Sequence, residues 1–398
     1  MDARTHEPAR AALHAMVSAP ARRLRAAARR QRMPWRVPLV MLPILLTLVA
    51  AVAGGLLRAG VALPGDELLL GRAALEHAAL MIGAFLGSVV AIERAVALKH
   101  RAAFLGPLAS IAAGFALLLG QSALGAGLLL AAALGFVVAS AAVLRRQRAP
   151  HTALLLLAAL CWLAGNAAFA LGIGGEPVFA AWFAFLVMTI AAERLEMARL
   201  MRQRRSAQLS LFAILGVLVG GAALCAVRPA VGGLLYGAAL LALAVWLGLH
   251  DIARRTVHAH GLSRYMAVCL LSGYAWLGVA GLAWAATALG WPARDAALHA
   301  LGLGFIVAMM MAHAPVILPA VARLKLRFGN VFYLPLLLLQ ASLVMRLGAG
   351  ATDPAWRGAG AVLNAAALAL FLLVVAGSAL AWRHQQRSSL SLHQEALR

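Results

Sequence analysis

Twelve apolar runs, each about twenty residues long, dominate the sequence. A helix of about 20 apolar residues is long enough to cross a bilayer. The runs lie at residues 37–57, 74–97, 103–120, 123–144, 151–172, 178–199, 208–227, 230–250, 265–289, 297–321, 331–348 and 357–382. Only 12% of the 398 residues are charged, against about 25% in a soluble domain. These features exclude a water-soluble enzyme, a disordered regulator and a disulfide scaffold, and they predict an all-α polytopic membrane protein.

The twelve runs predict one transmembrane domain over residues 36–382. A basic arm rich in Ala and Arg precedes it at 1–35, and a short polar tail follows at 383–398. The first run is about 21 residues long and exceeds the apolar region of a signal peptide, so we expect a retained helix. We interpret the arm as a solvated topology signal. The alternative is an amphipathic helix that lies on anionic lipid.

The basic residues indicate topology rather than nucleic-acid binding. The chain has 35 Lys and Arg residues and a net charge of +22. With the N-terminus in the cytoplasm, 29 of them fall in cytoplasmic segments and six fall outside, as the positive-inside rule requires. We therefore expect both termini in the cytoplasm and a lipid bilayer as the partner. The three cysteines lie singly in apolar runs, which argues against covalently attached c-type haem.

An internal repeat suggests how the twelve helices are arranged. Residues 85–94 and 185–194, in runs two and six, align without gaps, and run ten begins like run two. Both aligned stretches end in a Glu-Arg pair, which we interpret as a local ion pair that fixes the helix end. Runs five and nine share a Trp-Leu pair at Trp162 and Trp276. A recurrence every four helices predicts a pseudo-threefold (4+4+4) bundle, rather than the six-plus-six repeat of major-facilitator transporters.

Three histidines inside the apolar runs are the candidate functional residues, because ionisable groups in membrane helices are costly and usually functional. His77 and His299 lie at the same depth from the outer ends of runs two and ten. Two imidazoles at equal height are suited to binding haem iron. We therefore predict that His77 and His299 hold a haem. The alternative is that both histidines cap their helices at the membrane interface.

His313 is the third candidate. It lies about 21 Å deeper than His299 and, at 3.6 residues per turn, on the same face. It belongs to the stretch Met309-Met-Met-Ala-His313-Ala-Pro315, and Pro319 follows. The prolines predict a kinked or broken helix ten, in which His313 is a metal ligand, a proton-relay group or the partner of a freed carbonyl. The methionines are soft ligands for copper, although packing is the favoured interpretation.

Residues 36–382 resemble the catalytic subunit of haem-copper oxidases and, more closely, the NnrS-type haem- and copper-containing membrane proteins. The resemblance rests on the twelve helices, the threefold repetition and two stretches, His77-x-x-x-Met-x-Gly-x-Phe-Leu-Gly and His299-x-x-x-Leu-Gly-Phe. It implies a haem b held by His77 and His299, and a place in a bacterial inner membrane. It also implies electron transfer, redox sensing or a nitric oxide response, with a redox partner or respiratory complex as a further partner.

The sequence departs from the oxidase pattern at the second metal centre. Runs six and seven contain no histidine, and Leu301 stands where an oxidase has a second histidine on helix ten. We therefore expect no oxygen-reducing binuclear centre, and only His313 and the methionine run remain as candidates for copper. Two other functions stay open. One is a proton-coupled secondary transporter with its site at the broken helix ten, and the other is an assembly factor for a respiratory complex.

Overall fold

The computed structural model describes residues 36–197 and 205–395, and the described chain is helical without strands. The basic arm 1–35 lies outside the described residues, and so does its alternative interpretation as an amphipathic helix. In the described part, twelve helices are long and apolar enough to cross a membrane. This confirms the predicted all-α class and the number of spans.

Ten of the twelve helices are regular, while the second and tenth each contain a π-helical segment. In chain order they are α1 (Arg36–Arg58), α2 (Glu67–Leu75, the π segment Ala79–Leu86, and Gly87–Leu98), α3 (Leu105–Leu118, after the 3-10 turn Arg101–Phe104), α4 (Ser122–Arg146), α5 (Pro150–Ala170), α6 (Glu176–Met197), α7 (Arg205–Leu224), α8 (Pro229–His250), α9 (Gly261–Ala288), α10 (Arg294–His299, the π segment Ala300–Val307, and Ala308–Val321), α11 (Tyr333–Leu347, between the 3-10 turns Asn330–Phe332 and Ala349–Ala351) and α12 (Pro354–Glu395). A short helix, Ala253–Thr256, joins α8 to α9.

Consecutive helices pack side by side, and α12 returns to pack against α1, which closes the bundle. Helices α2, α6 and α10 lie toward its centre. In the most apolar stretch of α6, 78% is buried, against 28% in that of α1. Helices α2 and α6 both contact α10. These are the three helices that the four-helix repeat makes equivalent. Because α8 is as buried as α10, at 56%, the threefold repetition stays a prediction.

Four helices end in the same way. Helices α1, α3, α5 and α9 are each followed by a glycine with positive φ, namely Gly60 at 85°, Gly120 at 79°, Gly172 at 75° and Gly290 at 88°. Glycine adopts this left-handed conformation at the C-terminal end of a helix without steric cost.

The predicted break in helix ten was wrong. The α-helix Ala308–Val321 runs through Pro315 and Pro319 without interruption, and membrane helices tolerate proline where their surroundings satisfy the freed carbonyls. The helix α12 continues through Glu395, so residues 383–395 of the predicted polar tail are helical. Residues 383–395 contain neither proline nor glycine to end the helix.

Candidate functional site

Helices α2 and α10 bring His77 and His299 together at their predicted outer ends. The centroids of the two imidazole rings are 6.5 Å apart, and the ring planes differ by 22°. Each ring is partly buried. The two residues predicted from equal depth along the sequence are therefore neighbours in space, and their role as ligands stays a prediction.

The imidazole of His77 is oriented by α1. Its Nδ1 lies 2.6 Å from the carbonyl oxygen of Ala51, so Nδ1 carries the proton and donates it to that carbonyl. The lone pair of Nε2 is then free, which is the usual arrangement for a metal-ligating histidine. Gly55, one turn further along α1, leaves room for the ring, since a Cβ there would lie 2.7 Å from Cε1 of His77.

The imidazole of His299 is held by a carboxylate and a guanidinium. Its Nδ1 lies 3.0 Å from both the carbonyl oxygen and Oδ1 of Asp295, one turn earlier in α10. Arg346 of α11 donates to the same carboxylate, with Nη2–Oδ1 at 2.8 Å and Nε–Oδ2 at 3.2 Å. Such a two-point contact fixes the geometry of both groups. Arg346 Nη2 also lies 3.1 Å from His299 Nε2, so a metal ion bound at Nε2 would have to displace this guanidinium nitrogen.

A π-helical segment follows each histidine. One begins at Ala79, two residues after His77, and the other at Ala300, immediately after His299. Single π segments inside α-helices are frequent at functional sites. They also alter the rotation of the helix, so the shared face that 3.6 residues per turn predicted for His299 and His313 does not follow.

His313 belongs to a separate cluster near the predicted cytoplasmic ends of the helices. Its Nδ1 donates to the carbonyl oxygen of Met309 at 2.7 Å, not to the carbonyl of Met311 that Pro315 frees. Its Nε2 lies 3.4 Å from Nη1 of Arg194 in α6. A metal ion at Nε2 would have to displace this guanidinium, as one at His299 would have to displace Arg346. Ligation of copper by His313 stays an untested prediction.

Arg194 forms a buried ion pair with Asp251, which immediately follows α8. Nε lies 2.8 Å from Oδ2, and the two side chains are 5% and 3% exposed. The carboxylate also accepts from the backbone N–H of Ala253 at 2.8 Å. The local pair expected between Arg194 and Glu193 was therefore wrong, since adjacent helix residues point in different directions while Asp251 lies directly opposite.

Three of the charged residues at these sites were missed by the sequence analysis. Asp295 precedes His299 by one helical turn, and this i, i+4 spacing was the available signal. Arg346 was counted only as one of the six basic residues in the outer segments, but its side chain is 8% exposed and takes part in the site. Asp251 carried no pattern of its own, because its partner lies 57 residues away in the sequence.

Fold and site together define a polytopic all-α membrane protein with a histidine pair between two central helices. Residues 36–380 match the model of a family described as a domain of unknown function (DUF8744), and the chain belongs to that family. No curated protein and no solved structure matches the chain. The likeness to NnrS-type proteins and to the oxidase bundle therefore stays a prediction.

Proposed function

We propose that this protein binds one haem b between His77 and His299 and acts in electron transfer or redox sensing in the membrane. The 6.5 Å between the imidazole centroids carries the proposal. With metal–nitrogen bonds of about 2.0–2.1 Å, and about 1.1 Å from each nitrogen to its ring centre, two imidazoles that bind one metal ion from opposite sides would have centroids about 6.3 Å apart. The observed spacing thus fits a shared ion.

The number of donors favours haem over a bare ion. Within the described residues, no group of three or more His, Cys, Asp or Glu side chains is placed to hold a metal. A protein-bound zinc ion usually has three or four protein ligands, whereas haem iron needs only one or two axial ligands because the macrocycle supplies the rest. The pair His77 and His299 is sufficient for haem.

The surrounding charges also fit haem b, which carries two propionate carboxylates. Arg346 lies against His299, and Arg58 donates to the carbonyl oxygen of Ala74, one turn before His77. These guanidiniums would neutralise the carboxylates. Bound there, haem supplies one-electron redox chemistry. Because both histidines would be used to hold the haem, we propose electron transfer or sensing rather than oxygen reduction.

The chain's own residues have distinct tasks in this proposal. The Ala51 carbonyl fixes the ring of His77, and Asp295 accepts the Nδ1 proton of His299 and makes that imidazole a stronger donor. Arg346 keeps the Asp295 carboxylate in place. We expect Asp295→Asn to weaken haem retention by roughly 10–100-fold, the usual effect of removing such a supporting group. Haem transfer to apomyoglobin measures this, and retention equal to wild type would remove Asp295 from the proposal.

The decisive experiment is the absorption spectrum of the full chain purified from haem-replete cells, with a pyridine haemochromogen assay. We expect a low-spin b-type spectrum that His77→Ala and His299→Ala each abolish. His100→Ala is the matched control, because His100 is exposed just beyond the other end of α2. A colourless wild-type protein, or a spectrum that survives both substitutions, refutes the proposal.

The further roles that the resemblance implies are part of the same proposal. They are a nitric oxide response, a redox partner and a bacterial inner-membrane location. The transporter alternative is untested. Because α10 continues through Pro315 and Pro319, its site would depend on His313 rather than on a break in the helix.

A further inference from the structure

A cavity of about 330 Å³ opens between the outer ends of α6, α8, α9 and α10. We propose that it binds the ring of a membrane quinone or quinol. Its size is at the lower end of the range of small-molecule sites, so it holds one substituted ring. The isoprenoid tail of such a molecule would leave through the opening into lipid.

The walls of the cavity suit a flat ring. Trp284 and Phe179 contribute aromatic surfaces, the guanidinium of Arg294 lying 5.3 Å from the centroid of the Phe179 ring, while Gly233 and Ala230 contribute little side chain. A Cβ at Gly233 would lie 2.8 Å from Cβ of Ala288, so α8 and α9 are close together at this point. A planar ring packs well against aromatic walls in an offset or edge-on arrangement.

The polar groups of the cavity match the oxygens of a quinone and a quinol. Arg294 Nε lies 3.7 Å from Glu176 Oε1, and these side chains are 51% and 41% exposed. The guanidinium can donate to a quinone carbonyl, and the carboxylate can accept from a quinol hydroxyl. Thr287 donates to the carbonyl oxygen of Ala283 at 2.8 Å, which leaves its oxygen lone pairs as further acceptors. A lipid acyl chain has no group that uses these contacts.

The cavity lies at the same end of α10 as the histidine site. Ala297 and Leu298 line it and directly precede His299, but they face α6, α8 and α9, whereas His299 faces His77 of α2 and Arg346 of α11. A ring bound here would exchange electrons with the proposed haem across α10. This link rests on the proposed function, whereas quinone binding itself does not require haem.

Photolabelling tests the inference. The full chain in lipid nanodiscs is irradiated with an azidoquinone that carries a decyl tail, and labelled peptides are mapped by mass spectrometry. We expect label on the Pro229–Gly233 or Trp284–Ala288 peptides, suppressed by decylubiquinone and not by decanol. Labelling confined to other peptides, no labelling, or equal suppression by decanol overturns the inference, the last outcome identifying a site for lipid chains.

Two neighbouring substitutions give a matched comparison. Ala230→Phe fills the cavity and is expected to weaken quinone binding by about tenfold or more, while Val231→Phe changes a side chain outside the lining that is 48% exposed. Both variants must remain monodisperse. If Ala230→Phe aggregates, Arg294→Gln replaces it in the comparison and is expected to lower the affinity for the quinone. Equal affinity in all folded variants overturns the inference. Labelling that persists in His77→Ala supports the quinone site even where the haem proposal fails.

Discussion

The buried pair Arg194–Asp251 permits a quantitative test of how this bundle is held together. Both side chains are almost inaccessible, at 5% and 3%, and their closest atoms are 2.8 Å apart. Arg194→Met leaves the carboxylate with the Ala253 N–H and no countercharge, and Asp251→Asn leaves the guanidinium without one. Removing one partner of a buried pair costs about 3–5 kcal/mol. We therefore expect each single variant to lose about that much free energy of unfolding.

The double variant Arg194→Met/Asp251→Asn separates pairing from other losses. It leaves no uncompensated charge, so its loss is expected to be smaller than the sum of the two singles by at least about 2 kcal/mol. The assay is reversible unfolding in mixed micelles with increasing dodecyl sulfate, followed by fluorescence of the nine tryptophans.

A second ion pair in the same protein provides the control. Arg294 and Glu176 lie 3.7 Å apart with side chains 51% and 41% exposed, and Glu176→Gln is expected to cost about 0–1 kcal/mol. Additive losses in the double variant, or single losses as small as this control, would refute the reasoning about the buried pair.

Two further predictions concern close packing. Gly55→Val adds a side chain whose Cβ would lie 2.7 Å from Cε1 of His77, so we expect loss of the haem spectrum, while Gly216→Val, with nothing within 4 Å of where its Cβ would lie, leaves it intact. An unchanged spectrum in Gly55→Val would show that the ring is not confined there. Asn166→Leu removes the acceptor of Trp182 Nε1 at 2.7 Å and is expected to cost about 1–3 kcal/mol. A loss below about 0.5 kcal/mol in the same unfolding assay would mean that the indole finds another partner.

The histidine pair shows how far sequence reasoning reached. Depth along two apolar runs and the four-helix repeat were enough to predict that His77 and His299 lie close together, because both helices enter the membrane from the same side. Their supports were not predictable in the same way. Ala51 lies 26 residues from His77 in the sequence, and Arg346 lies 47 residues from His299. No local pattern in the sequence connects either supporting residue to its histidine.

His313 shows where periodicity misled. A straight helix at 3.6 residues per turn put it on the face of His299, and the prolines suggested a break beside it. The π segment Ala300–Val307 changes the rotation between the two histidines, and α10 continues through both prolines. His313 consequently lies beside the ion pair that Arg194 forms with Asp251.

The sequence by itself determined the membrane environment and the number of helices, because lipid requires about twenty apolar residues for each span. It also predicted the direction of the helices, since basic residues mark the inner loops, and which helices are equivalent. Only the tertiary structure decided the partners of the buried charges and the shape of the outer cavity. Those depend on side chains from helices far apart in the chain, and their contacts follow from how the helices pack and rotate rather than from local pattern.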